Sequence, residues 1–151
     1  KIFIMIINNI MVDTLDIPIL LKALDNENNE GIMDSDIDKI YDIKNKVLSD
    51  LELSNEKHEK IMQSLSEYKY VDEIPDLDYG RYIRWISLKN PSNIKLTNGG
   101  ILCDIKVNEE VSLLCKNNAN RFFQIKIDEC LIFQKLTNEE KIILNVINYL
   151  K

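Results

Sequence analysis

Apolar residues along the chain follow two different periods, and the change between them falls near residue 72. Before that point the spacing is helical. Ile17, Leu20, Leu21 and Leu24 recur every three or four residues behind Asp16-Ile17-Pro18, where Asp16 suits an N-cap and proline the first turn. A polar turn runs from Asp25 to Gly31. The next amphipathic helix begins near Asp34-Ser35 and sets Ile37, Ile40, Tyr41, Val47, Leu48 and Leu51 on one face. Leu53-Ser54-Asn55 interrupts it, and Ser54 suits the cap of a further helix carrying Ile61, Leu65 and Tyr68. A hairpin of two helices is thus favoured over one long helix across 35–70.

Pro75, Asp76, Asp78 and Gly80 end the helical period, and alternation takes over. Short strands are predicted at 82–88, 94–97, 101–107, 111–116, 121–127 and 130–135. Asn98-Gly99-Gly100 predicts a tight hairpin turn between the second and third of these, because positive φ is cheap there. In the first strand Arg81, Ile83 and Trp85 share one face, and Tyr82, Arg84 and Ile86 the other. Later strands should turn Ile101, Cys103, Ile105 and Val107 inward, then Val111, Leu113 and Cys115, then Phe123, Ile125 and Ile127. Thr137-Asn138-Glu139-Glu140 is a capping box. It opens a helix over 138–150 with Ile142, Ile143, Val146, Ile147 and Leu150 on its stripe and Leu144 off it. The expected fold is α+β: a helical region over 1–72, then a small antiparallel β-barrel over 73–151, of OB-like or SH3-like size and closed by the C-terminal helix.

Composition narrows the function classes. With 151 residues, 45% of them hydrophobic and 29% charged, the chain can hold a core without disulfides or metal. No apolar run is long enough to span a membrane, so no membrane partner is expected. A net charge of −6 argues against a dedicated duplex-DNA binder. The charge is uneven: residues 1–74 carry sixteen acids against eight Lys and Arg, and residues 75–151 carry nine against eleven. Heavy use of Ile, Asn and Lys beside only two alanines, Ala23 and Ala119, points to an A/T-rich genome.

Catalytic and cofactor chemistry is not visible, and an enzyme is not expected. Cys103, Cys115 and Cys130 are odd in number and widely spaced, which predicts core thiols in a reducing compartment. The single histidine, His58, lies on the polar face of a helix. Neither phosphate-loop motif occurs. A calcium loop counted from Asn26 places Gly31 well but ends on Ile37, and one counted from Asp34 puts Lys39 where glycine is needed. No metal and no cofactor are therefore expected. Asn90-Pro91-Ser92 is blocked as a glycosylation sequon by its proline. Lys1–Ile7 is shorter than a signal-peptide core and is broken by Asn8-Asn9, while Met5 or Met11 could serve as the natural start.

One constellation merits a binding hypothesis. Arg81, Arg84, Trp85, Lys89, Arg121, Phe122 and Lys126 combine basic and aromatic side chains on predicted strands. Such a set can stack bases and track phosphates, which makes single-stranded nucleic acid, RNA included, the alternative partner. The preferred reading is a non-catalytic interaction or assembly module that docks a protein partner or associates with itself. Its apolar helical stripes exceed what a small barrel needs for cover.

The segments Gly80-Arg81-Tyr82-Ile83-Arg84-Trp85-Ile86, Lys95-Leu96-Thr97-Asn98-Gly99-Gly100-Ile101 and Ile132-Phe133-Gln134-Lys135-Leu136 resemble uncharacterised proteins encoded by nucleocytoplasmic large DNA viruses, the giant viruses. The resemblance covers roughly the C-terminal half. It implies a viral protein acting in the host cytoplasm or carried in the virion, and it brings no site residues with it.

Overall fold

The computed structural model describes residues 17–150, so the Asp16 cap, the apolar start and the candidate initiators lie outside the described residues. Among the described residues the fold is α+β. Its helices are α1 (Ile17–Asp25), α2 (Glu30–Met33), α3 (Ile37–Ser49), α4 (Asn55–Ser64) and α5 (Asn138–Tyr149). Its strands are β1 (Tyr68–Val71), β2 (Tyr82–Ser87), β3 (Gly100–Val107), β4 (Val111–Lys116), β5 (Phe122–Lys126) and β6 (Cys130–Lys135). The chain divides into two units, Lys1–Asp42 with Leu136–Lys151, and Ile43–Lys135. The boundary expected near residue 72 falls inside the second unit.

The first unit is helical. Ala23, Ile32, Ile40, Leu136, Ile143 and Leu144 form its buried cluster, and Leu20 and Val146 are buried as well. On α1 the stripe turns one position from the expected one: Leu21 is exposed, and Ala23 goes inside. The capping box of α5 is as expected. Thr137 Oγ1 accepts from Glu140 N–H at 3.0 Å, and Glu140 Oε1 accepts from Thr137 N–H at 2.9 Å. Leu144, expected off the stripe, is buried, whereas Leu150 is exposed. The apolar face of α5 packs on α1 and α2. Asn29 is buried with them, its Nδ2 donating to the Ala23 carbonyl at 2.8 Å.

The second unit is a six-stranded antiparallel sheet in the order β1-β6-β2-β3-β4-β5. It is open, and the expected barrel is not formed: β1 and β5 are the two edges. The reason is visible in β6, which buries Ile132, Phe133 and Gln134 in succession. A strand with two buried faces belongs in a layered sheet, whereas a small barrel turns alternate residues to solvent. Ile132 joins Ile83, Trp85, Leu102, Leu113 and Cys115 on one face. Phe133 joins Tyr68 and Ile86 on the other, under Leu48, Ile61 and Leu65 of the α3–α4 hairpin.

That hairpin forms as expected. Ser54 caps α4 through Lys57 N–H, and His58 Nε2 meets Asn45 Oδ1 at 2.8 Å. Lys44 sits on the buried side of α3, its amine donating to the Leu65 carbonyl at the end of α4 at 2.7 Å. Burial there pushes the lysine pKa down. Tyr68, expected on the helix, instead opens β1.

Two further local expectations fail, and both of these failures are bulges. Segment 94–97 is not a strand with a hairpin turn after it. Leu96 bridges Ile86, and Gly100 pairs with Ile83, so both stretches lie along the same edge of β2. The extra residue between them is absorbed at Asn98-Gly99, where Gly99 has φ +83°. In β3 the register shifts between Leu102 and Asp104. That bulge sends Leu102 inward and leaves Ile101 and Cys103 exposed, while Ile105 still packs on the core; Val107, in phase with Ile105, is exposed at the end of the strand.

Candidate interaction surface

β5 ends the sheet, and among the described residues no strand pairs with its outer edge. Its inner edge is held by β4 in a register from Ser112–Lys126 to Lys116–Phe122. The turn feeding it is well determined. Asn117 Oδ1 accepts from Ala119 N–H at 3.0 Å and from Arg121 N–H at 2.9 Å, with Asn120 in the left-handed region at φ +60°. The strand itself is apolar and open: Phe122 is 60% and Phe123 42% exposed, and only Ile125 is partly covered. Phe123 was expected inside. It does face the Cys115 side, but β5 is the last strand, so among the described residues no strand lies beyond it to complete the cover.

Phe122 belongs to a row across the outer half of the sheet. Tyr82 pairs with Ile101, Ile101 with Lys116, and Lys116 with Phe122. Ile101 is exposed, and the Lys116 amine lies 5.9 Å from the Phe122 ring centre, within cation–π range. The edge and this row together form a contiguous apolar and basic surface.

Most of the basic and aromatic residues singled out from sequence are engaged elsewhere. Trp85 is buried in the core. Arg81 Nη2 donates to the Lys135 carbonyl at 2.6 Å, and its Nη1 pairs with Asp78 at 3.0 Å. Arg84 Nε donates to the Thr97 carbonyl at 2.8 Å. Lys89 pairs with Glu129 at 3.0 Å and Lys126 with Glu110 at 2.8 Å. Of the seven, three lie on or beside β5: Arg121 and Phe122 next to each other where it begins, and Lys126, paired with Glu110, at its end. Sequence reading missed Ile101, Lys116 and Gln124. A polar or charged residue between two apolar ones reads as ordinary solvent-facing alternation, and only the strand order reveals where the sheet ends.

The clefts differ in their lining, and one of about 260 Å³ has Tyr70, Asp72, Asp128 and Cys130 in its wall. A second, of about 470 Å³, is lined by Tyr82, Trp85, Thr97, Asn98, Asn117 and Phe123 among others, with Tyr82 the titratable side chain in its wall. Another of about 280 Å³ holds Lys89, Lys126, Glu129 and Cys130, with Lys89 and Glu129 paired to each other. Burial raises the Cys130 pKa and pushes the Cys115 thiol up to about 12, so neither is a ready thiolate. Among the described residues no three His, Cys, Asp or Glu side chains gather as a metal site, and no helix is long and apolar enough to cross a membrane.

Neither the protein families, nor the curated proteins, nor the solved structures compared with this chain include a match to it.

Proposed function

We propose that this protein is a non-catalytic interaction module that docks a protein partner on the outer half of its sheet. The observation that supports the reading is the β5 edge, unpaired among the described residues, with Phe122 and Phe123 exposed on it. Edge strands in soluble proteins are commonly short, charged or covered. β1, the other edge, has only four residues with Lys69 among them, and its first and last residues are buried. β5 is also short, but its one charge, Lys126, is at its end, and Phe122-Phe123-Gln124-Ile125 carries both phenylalanines exposed and uncharged. An extended segment added there would gain main-chain hydrogen bonds and bury both phenylalanines, the recognised logic of strand addition. The resemblance to large-DNA-virus proteins makes assembly in the infected cell or in the particle the natural setting.

The test is co-purification from the native source, assayed for protein and for nucleic acid, with the parent chain and a Phe122→Asp/Phe123→Asp variant side by side. A protein partner that survives high salt and is lost from the variant is the expected result. Recovery of nucleic acid alone, with affinity falling steeply as salt rises, would establish the alternative partner instead.

A further inference from the structure

We infer that the strand added to β5 is β5 of a second copy of this chain, running antiparallel about a two-fold axis through Gln124. The inference rests on the docking reading above and names its partner.

The backbone phase and the length of β5 together set the register. Asn117 N–H donates to the Arg121 carbonyl at 2.9 Å, and the same pairing continues as Cys115–Phe123 and Leu113–Ile125. In an antiparallel ladder alternate residues turn their N–H and C=O to the same neighbour. Arg121, Phe123 and Ile125 therefore bond toward β4, and Phe122, Gln124 and Lys126 present theirs to the free edge. A two-fold through Gln124 sets Gln124 opposite Gln124 of the second copy and Phe122 opposite Lys126. Those are the residues whose backbone groups point outward on both chains. A two-fold through Phe123 or Ile125 keeps the same phase but leaves part of β5 without a β5 partner, whereas the axis through Gln124, the middle residue of Phe122–Lys126, pairs all five.

The side chains agree with this register on both faces. On the Cys115 side, Phe123 falls opposite Ile125 of the copy, twice by symmetry, an aromatic and β-branched pairing that favours strand association. It would cover the phenylalanine now 42% exposed for lack of a neighbouring strand. On the other side Phe122 meets the Lys126 stem, again twice. At the centre two neutral amides face each other, so no like charges are opposed although the whole chain carries −6. The interface is isologous and closes on itself, joining two six-stranded sheets into one. Five-residue strands bury little area, so the dimer is expected to be reversible and concentration-dependent.

Sedimentation of the full chain across a concentration series tests this, together with a charge exchange at the axis. Gln124→Lys and Gln124→Glu each place like charges face to face at an exposed position that the fold does not use. Each should weaken the dimer at least tenfold, with far-UV circular dichroism unchanged, and an equimolar mixture of the two should dimerise again. A parent chain that stays monomeric at every concentration overturns the self-pairing. The docking reading survives that result if the phenylalanine variant still loses a protein partner. A dimer equally strong in both Gln124 variants overturns the inference as well, and places self-association elsewhere on the molecule.

Discussion

β5 and β6 are written with almost the same residues, Phe122-Phe123-Gln124-Ile125-Lys126 against Leu131-Ile132-Phe133-Gln134-Lys135, and they end in opposite environments. β6 is flanked by β1 and β2 and packed on both faces, so Phe133 and Gln134 are fully buried. Among the described residues β5 has one neighbour, and it leaves both phenylalanines in solvent. The two glutamines show the consequence. Gln134 Oε1 accepts from Asp78 N–H at 2.9 Å, and its Nε2 donates to the Asp76 carbonyl at 3.2 Å, tying the 74–80 loop to the sheet. Gln124 is exposed, and its backbone groups face the open edge. Similar strings thus serve as core in one place and as an unfinished surface in the other, and strand order makes the difference.

The comparison is broken most directly at the phenylalanines. Phe133→Ala should cost about 3–5 kcal/mol in urea unfolding, because it empties a fully packed site. Phe123→Ala should cost less than about 1 kcal/mol, since partly exposed positions lose little. Equal losses would mean that β5 is covered as well as β6.

The glutamines come next. Gln134→Ala strands the Asp78 N–H and the Asp76 carbonyl without their partner. It should destabilise by about 1–3 kcal/mol and speed amide exchange at Asp78. Gln124→Ala should stay within about 0.5 kcal/mol of the parent.

A comparable effect, of about 1–3 kcal/mol, is expected from Gly100→Ala at the seam between the two halves of the sheet. A Cβ there would meet the Lys116 carbonyl oxygen at 2.6 Å, and backbone cannot swing aside as a side chain can. Amide exchange should rise along β3 and β4 while β6 keeps its protection.

The least perturbing test is chemical. Cys103 should react first with an alkylating agent, Cys130 more slowly, and Cys115 only on unfolding. Burial holds the Cys115 pKa at about 12 against an ordinary 9.0. Above pH 9 the unfolded chain releases a proton that the native one keeps, so the native state loses relative stability as pH rises from 9 toward 12. The contribution is present in full below pH 9. In Cys115→Ala that alkaline slope should flatten.

How much of this was legible beforehand depends on how local the cause was. The capping box at Thr137, the break and cap at Ser54, and the opposed faces of Tyr82–Ile86 each arise within a few residues, from hydrogen-bond reach or backbone period, and the sequence alone determined them. The α+β class follows from the same periodicities. What needed the tertiary structure was everything set by a distant neighbour. The bulges at Gly99 and Cys103 arise from register against β2 and β4, and they inverted the predicted facing of Ile101 and Cys103. Lys44 hides in a buried helical face because a carbonyl of the next helix receives its amine. The openness of the sheet, and with it the exposed edge of β5, depends on strand order. Strand order is decided by the competition of six strands for partners, an energy of pairs far apart in the chain that no local window contains.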